Sequence, residues 1–174
     1  FYSDLTELGT FKEVLAEANV PTARAEVFTD AAEATRALAR FGPPYVVKAD
    51  GLAAGKGVRG TPDRLEAERF IADCLERDRF GESGHRVLIE QHLAGEEASV
   101  MAVCDGTRAL LLPAARDYKR AFDGDRGPNT GGMGAVAPTP SVTPALEQRI
   151  AETIFVPVLR ALAARGTPYR GVLY

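Results

Sequence analysis

The sequence predicts a mixed α/β fold of the α+β class, with helices and a partly antiparallel sheet. Short β-branched segments alternate with amphipathic helical segments in the first half of the chain. Further along, apolar segments at Ala98–Cys104 and Ala109–Leu112 flank Asp105-Gly106, a pair typical of a hairpin turn. With 174 residues, of which 45% are hydrophobic and 26% charged, the chain can bury a core.

The first half is predicted to contain two helices with recognisable starts. Thr10 and Glu13 form a capping box, and Asp30 with Glu33 forms a second such start. Gly42, followed by two prolines, is expected to end the second helix.

Strands and one further helix complete this half. The pair Thr61-Pro62 is expected to cap a helix that reaches about Glu76. The predicted strands are Ala25–Phe28, Tyr45–Lys48 and Arg86–Glu90.

The second half contains a Gly- and Pro-rich stretch, Arg116–Pro140, which we interpret as a long loop, and loops of this length are usually functional or disordered. Thr143-Pro144 then opens a long helix, expected to be irregular near Pro157 and to end at Gly166. Gly171–Tyr174 has the composition of a strand.

Charge and composition narrow the classes of partner and location. The net charge of -3 gives no reason to expect nucleic acid or an anionic membrane as partner. Apolar runs are too short to span a membrane and no signal peptide is evident, so we expect a cytoplasmic protein. Cys74 and Cys104 have no metal-site spacing and are expected to be buried free thiols. A chain that begins at Phe1 and stops inside a predicted strand is expected to be a piece of a longer protein.

Lysine is rare in this chain. Of 21 basic residues only four are lysines, and Lys48, Lys56 and Lys119 lie in two glycine-rich segments. An ammonium is a compact point charge that arginine cannot replace at a phosphate without changing the geometry. The placement therefore favours two phosphate-binding segments, with chance placement as the alternative.

The first of these segments follows a predicted strand. Lys48 would project from the strand end, and Gly51–Gly57, which contains Lys56, would cover the phosphates of a ligand. The segment lacks the Ser/Thr and the following helix of a P-loop. An ordinary hairpin loop is the alternative.

A second segment, Val87–Ser99, ends a strand at Glu90 and is predicted to re-enter a strand that carries Glu96 and Glu97. The backbone of such a hinge can bind the edge of an adenine, and a carboxylate beyond it can accept ribose hydroxyls. A solvated turn is the alternative.

The third segment combines mixed charges, including Asp117 and Lys119, with the run Gly131–Gly134. Such a loop suits closure over an anionic substrate, and a mobile surface loop is the alternative. Asp123 and Asp125 form a pair with no third metal ligand.

Together the motifs Val46–Val58, Ile89–Ser99, Asp117–Arg120 and Gly127–Gly134 resemble the phosphoribosylamine-glycine ligase family of ATP-grasp enzymes, the glycinamide ribonucleotide synthetases. The resemblance implies a partial ATP-grasp fold, with ATP held between two α+β subdomains. Residues 1–113 would form the nucleotide-binding subdomain, and residues 114–174 would begin the second. It also implies a reaction in which ATP phosphorylates glycine and 5-phosphoribosylamine then attacks the glycyl phosphate.

The resemblance assigns roles by position. Asp117 and Lys119 would be catalytic. The residues implied for ATP binding are Lys48, Gly51, Gly55, Lys56, Gly57, Glu90, Leu93, Glu96 and Glu97. The residues implied for substrate binding are Asn129, Thr130, Gly131, Gly132 and Met133.

Two departures from the family pattern matter for function. The family usually has a nucleotide-binding lysine near the position of Leu8. Its Mg²⁺ ligands are expected beyond residue 174, so we expect this chain to bind nucleotide weakly without turnover. The alternatives are another ATP-grasp carboxylate-amine ligase and a non-catalytic nucleotide-binding module.

Overall fold

The computed structural model describes residues 8–51, 57–124 and 126–174. Its contacts divide the chain into two compact units. The first combines the described part of Phe1–Glu13 with Pro21–Ala94, and the second combines Val14–Val20 with Gly95–Tyr174.

The first unit is a four-stranded antiparallel sheet with helices packed on it. The strand order is β1-β4-β2-β3. The elements are α1 (Leu8–Glu17, which continues into the second unit), β1 (Ala25–Phe28), α2 (Ala31–Phe41), β2 (Tyr45–Ala49), β3 (Val58–Thr61), α3 (Arg64–Leu75), a 3-10 turn (Gly81–Gly84) and β4 (Val87–Glu90). The inward residues of β2 and β4, including Val47 and Ile89, pack on Leu38 of α2 and Ile71 of α3.

The helix starts test the capping predictions. Asp30 accepts a hydrogen bond from the backbone N–H of Glu33, as predicted, and Gly42 ends α2 with a φ of 66°. The predicted start at Thr10 is wrong, because Thr10 lies inside α1. The start at Thr61 is also wrong: Thr61 ends β3, and Asp63 caps α3 by accepting from the N–H of Leu65.

The second unit contains a three-stranded sheet of order β6-β5-β9 and a separate hairpin of β7 and β8. The elements are β5 (Ala102–Asp105), β6 (Ala109–Leu111), β7 (Arg116–Phe122), β8 (Arg126–Val136), α4 (Pro144–Ile150), a π-helical segment (Ala151–Phe155), α5 (Val156–Ala164) and β9 (Arg170–Leu173). Phe155 and Leu159 pack on the buried side of β5, at Ala102 and Cys104.

Several predictions for this half are confirmed. The hairpin turn begins at Asp105, whose carboxylate accepts from the N–H groups of Thr107 and Arg108. Thr143 caps α4 by accepting from the N–H of Leu146, and the predicted irregularity is the π-helical segment that precedes Pro157.

The largest difference from the prediction concerns Arg116–Pro140, which is not a loop. Most of it forms the antiparallel strands β7 and β8, with register shifts between Tyr118 and Arg120 and between Arg120 and Phe122. Glycines conceal the strand pattern of β8 because they contribute no side chain to the alternation of polar and apolar residues.

The chain contains two cysteines, and both are buried thiols. Cys74 and Cys104 are both free and buried, as predicted. Burial raises the pKa of Cys74 to about 11 and also raises the pKa of Cys104. Among the described residues, no helix is long and apolar enough to cross a membrane.

Candidate functional site

Lys48 lies in β2, one residue before the strand ends at Ala49. Lys48 pairs with Val58 of β3, and the N–H of Ala49 donates to the carbonyl oxygen of Gly57 at 2.7 Å. The glycine-rich segment therefore begins and ends directly beside Lys48. Gly55 and Lys56 lie outside the described residues.

Gly51 has a packing reason to be glycine. A Cβ atom at this position would lie 2.8 Å from Oγ of Ser83 and 3.0 Å from its backbone Cα. Any side chain would therefore force the 3-10 turn away from the end of β2. This requirement is independent of any contact between Gly51 and a phosphate.

The ammonium of Lys48 binds the carboxylate of Glu90. Its Nζ lies 2.5 Å from Oε2 of Glu90, the last residue of β4, which pairs with β2. The other carboxylate oxygen, Oε1, forms an ion pair with Lys12 of α1. Glu90 is therefore held between two lysines, with 11% of its side chain exposed.

Lys12 is anchored more completely than Lys48. Besides Glu90 Oε1, its Nζ donates to Oγ1 of Thr22 at 2.8 Å and to the carbonyl oxygen of Ala23 at 2.7 Å. An ammonium has three N–H donors, so these three acceptors saturate it. Within the described residues, Lys48 Nζ has the single partner Glu90 Oε2, which leaves two N–H groups for a ligand.

Burial and the two lysines act in opposite directions on Glu90. Burial disfavours the charged carboxylate, but the hydrogen bonds and charges of Lys12 and Lys48 outweigh it and hold the pKa of Glu90 below its ordinary value. Glu90 is consequently ionised at neutral pH. The cluster carries one negative and two positive charges, an arrangement that attracts an additional anion.

A second buried carboxylate fixes the segment that follows Lys48. Asp50 Oδ1 accepts from the N–H of Gly9 at 2.8 Å, and Oδ2 lies 3.0 Å from Nη2 of Arg86. These contacts join the end of β2 to α1 and to the residue before β4. They hold in place the elements that carry Lys12, Lys48 and Glu90.

The hinge segment after β4 is irregular and exposed. Leu93 is 64% exposed, and Glu96 and Glu97 lie in this irregular segment. The prediction of a strand through the two glutamates is wrong, because β5 begins only at Ala102. Glu96 Oε1 binds Nη1 of Arg116 at 2.8 Å, whereas Glu97 has no partner among the described residues.

The predicted catalytic pair lies on the β7–β8 hairpin. Nζ of Lys119 is 3.8 Å from Oδ2 of Asp117, so the two charges are close without direct hydrogen bonding. A Cβ atom at Gly132, where φ is 126°, would lie 3.1 Å from Oδ1 of Asp117. Gly132 thus permits the close approach of β8 to this carboxylate.

The other predicted substrate residues lie along β8. Thr130 Oγ1 donates to the carbonyl oxygen of Lys119 at 2.9 Å and accepts from the N–H of Gly132 at 3.1 Å. Asn129 pairs with Arg120 in the register of the hairpin. Gly131 has open space around it, and Met133 is 63% exposed.

The hairpin also bounds a surface hollow of about 470 Å³. Arg116, Tyr118 and Arg120 line one side of it, and Met133 contributes from β8. The guanidinium of Arg116 lies 4.9 Å from the centre of the Tyr118 ring. A charged, partly aromatic hollow can bind a polar ligand that carries an anionic group.

Sequence reasoning missed Lys12, Asp50 and Arg116 as parts of these clusters. A signal existed for Lys12, because it is the fourth lysine of a chain that otherwise uses arginine. Nothing in the local sequence indicates that α1 brings Lys12 to the end of β4, since the contact joins residues 78 positions apart.

Comparison with known proteins gives a consistent assignment. Residues 9–174 match the family described as phosphoribosylglycinamide synthetase, ATP-grasp (A) domain. Phosphoribosylamine-glycine ligases from Caulobacter vibrioides and Allochromatium vinosum are 51% and 50% identical over 163 residues. Each match covers 94% of this chain but 38% of the relative, so the chain spans well under half of these relatives.

Solved structures agree with the sequence match. The phosphoribosylamine-glycine ligase of Thermotoga maritima superposes with a TM-score of 0.85 at 38% identity, covering 98% of this chain and 43% of that protein. The ADP complex of an N5-carboxyaminoimidazole ribonucleotide synthetase shares the fold at 18% identity, with a TM-score of 0.65 over 91% of this chain and 38% of that one. The chain belongs to the phosphoribosylglycinamide synthetase ATP-grasp domain family.

Proposed function

We propose that this chain is the nucleotide-binding part of an ATP-dependent ligase that joins glycine to 5-phosphoribosylamine. The observation that carries the proposal is Lys48, an ammonium with two free N–H groups in the described structure, located where the glycine-rich segment begins and ends. The names of the relatives supply the reaction, which we extend to this chain as a proposal.

The proposed chemistry has two steps. A carboxylate oxygen of glycine attacks the γ-phosphorus of ATP, which releases ADP and forms glycyl phosphate. The amine of 5-phosphoribosylamine then attacks the acyl carbon, loses a proton and expels inorganic phosphate. The first step turns the carboxylate oxygen of glycine, a poor leaving group, into part of a phosphate, which is a good one. It requires positive charge around the transferring phosphoryl group.

In the first unit, Lys48 would bind the ATP phosphates. Gly51, Gly57 and the segment that contains Gly55 and Lys56 would cover them, because glycine allows backbone N–H groups to approach phosphate oxygens. The backbone of Glu90 and Leu93 would bind the adenine edge. This part of the proposal is supported by the location of the glycine-rich segment beside Lys48.

The remaining predicted residues would bind the ribose and the substrates. Glu97 would accept hydrogen bonds from the ribose hydroxyls, since Glu96 already forms an ion pair with Arg116. Asp117 and Lys119 would orient and stabilise the reacting groups, and the backbone of Asn129–Met133 would bind the glycine and phosphoribosylamine side. We retain the subdomain boundary after residue 113 as part of this proposal.

The described residues do not fit a Mg²⁺ site, because they contain no group of three or more metal-ligating side chains. We therefore assign no step of the reaction to a metal here. We still predict that Mg²⁺ takes part in the reaction and that residues beyond 174 bind it. That only a longer protein turns over, and that the protein is cytoplasmic, also stay predictions.

A binding experiment separates this reaction from that of another ATP-grasp carboxylate-amine ligase. Glycinamide ribonucleotide, the proposed product, is titrated into the chain while the methyl signals of its two methionines are followed by NMR. We expect saturable shifts of the Met133 methyl and none at Met101. Equal or larger shifts with N5-carboxyaminoimidazole ribonucleotide, or no shift with either ligand, would contradict the proposed substrate.

A further inference from the structure

We propose that Lys12 is a positioning residue for the nucleotide site: it holds Glu90 so that Lys48 can transfer from Glu90 to the phosphates of ATP. The inference rests on the proposed function, because it assigns ATP to Lys48. Lys12 lies on α1, before the glycine-rich and hinge motifs, although it is within the residues that match the family.

The contacts distinguish the roles of the two lysines. Lys12 uses its three N–H donors on Thr22, Ala23 and Glu90, so it has none left for a phosphate. Lys48 uses one donor on Glu90 among the described residues. Both lysines bind the same carboxylate, but only Lys48 has N–H donors left for a ligand.

The shared carboxylate makes the two lysines interdependent. If Lys48 moves to a phosphate, Glu90 keeps a cationic partner in Lys12, so no buried charge is left unpaired. If Lys12 is removed, Glu90 depends on Lys48 alone. Phosphate must then compete with a partly buried carboxylate for the same ammonium, and ATP binding weakens.

The test compares Mg-ATP affinity in a set of variants by calorimetry. We expect Lys12→Met to weaken binding by roughly tenfold. Glu90→Gln, titrated under conditions in which circular dichroism shows it to be folded, should bind at least as tightly as the natural chain. We expect the double variant Lys12→Met/Glu90→Gln to recover most of the lost affinity, because Lys48 is then released from its carboxylate. A purely structural role for Lys12 predicts that the double variant binds no better than Lys12→Met, and this result would overturn the inference.

The matched control is Arg40→Met. It removes one positive charge from the same unit, but Arg40 forms an exposed pair with Glu26 of β1. We expect it to leave ATP affinity within about twofold of the natural chain. A loss equal to that of Lys12→Met would mean that net charge alone decides binding and would also overturn the inference.

A nucleotide-free measurement separates failure of this inference from failure of the proposed function. The charged groups that face Glu90 in the described structure are Lys12 from α1 and Lys48 from β2. Carboxyl-carbon NMR of Glu90 should give a higher titration midpoint in Lys12→Met than in the natural chain, and no change in Arg40→Met. An unchanged midpoint overturns the coupling of Lys12 to Glu90. A raised midpoint in a chain that does not bind ATP supports that coupling but removes the transfer of Lys48 to phosphate, together with the proposed nucleotide site.

Discussion

Replacing Glu90 with glutamine should destabilise the fold, because it leaves Lys12 and Lys48 next to each other without their shared anion. Two hydrogen bonds to a charged group are lost, each contributing about 1.5 to 3 kcal/mol, and glutamine restores part of one. The lysines are 19% and 25% exposed, so water solvates them in part. We therefore expect a net loss of roughly 2 to 4 kcal/mol in the free energy of unfolding.

Urea unfolding followed by circular dichroism measures this loss. With a slope of roughly 2 kcal/mol per M, the midpoint should fall by about 1 to 2 M at neutral pH. The matched control is Glu26→Gln on the neighbouring strand β1, which breaks the exposed ion pair with Arg40 of α2 and should leave the midpoint almost unchanged.

The stability that Glu90 contributes should depend on pH. The pKa of Glu90 is below its ordinary value of 4.5 in the folded chain, so its stabilisation is present above that value and is lost as pH falls through the folded pKa. The difference between the natural chain and Glu90→Gln should therefore be constant near neutrality and shrink in acid. A difference that does not change with pH, or a midpoint equal to that of Glu26→Gln, would refute this account of the cluster.

Other substitutions and probes test separate features. Gly132→Ala should accelerate hydrogen exchange in β7 and β8 by roughly 5- to 150-fold, because a side chain is strained at a φ of 126°. The control is Gly131→Ala, since Gly131 has open space around it and no such φ. Equal exchange rates in the two variants would contradict the reasoning. Asp63→Ala should lower the stability measured in thermal melts by about 1 kcal/mol, because Asp63 caps α3, and Pro62→Ala should lower it much less. A larger loss for Pro62→Ala than for Asp63→Ala would indicate that Thr61-Pro62 begins α3. Neither Cys74 nor Cys104 should react with a thiol reagent near neutral pH until the chain unfolds, because both thiols are buried and have raised pKa values. A thiol that reacts rapidly in the folded chain would be inconsistent with this burial.

The sequence predicted the elements whose signals are local. The strand Ala25–Phe28, the cap at Asp30 and the turn at Asp105 depend on residues within a few positions of each other, and all three are confirmed. The predicted cap at Thr61 was wrong because two nearby residues, Thr61 and Asp63, can both serve as the N-cap. Thr61 Oγ1 accepts from the N–H of Asp63 and binds Glu66, which leaves the cap of α3 to Asp63.

The candidate site was predictable only in part, for the same reason. Lys48 and its glycine-rich segment are contiguous and could be found by motif. The contact of Glu90 with Lys12 depends on how α1 packs against the sheet, which no local pattern encodes. The hairpin of β7 and β8 was missed because its glycines allow strand pairing without the usual alternation.

Calorimetric titration of the chain with Mg-ATP, alongside Lys48→Ala, tests the central claim most directly. We predict measurable binding that the substitution weakens by roughly tenfold or more, which corresponds to about 1.4 kcal/mol. Equal binding by the natural chain and Lys48→Ala, or binding by neither, would contradict the claim that Lys48 and its glycine-rich segment form the nucleotide site.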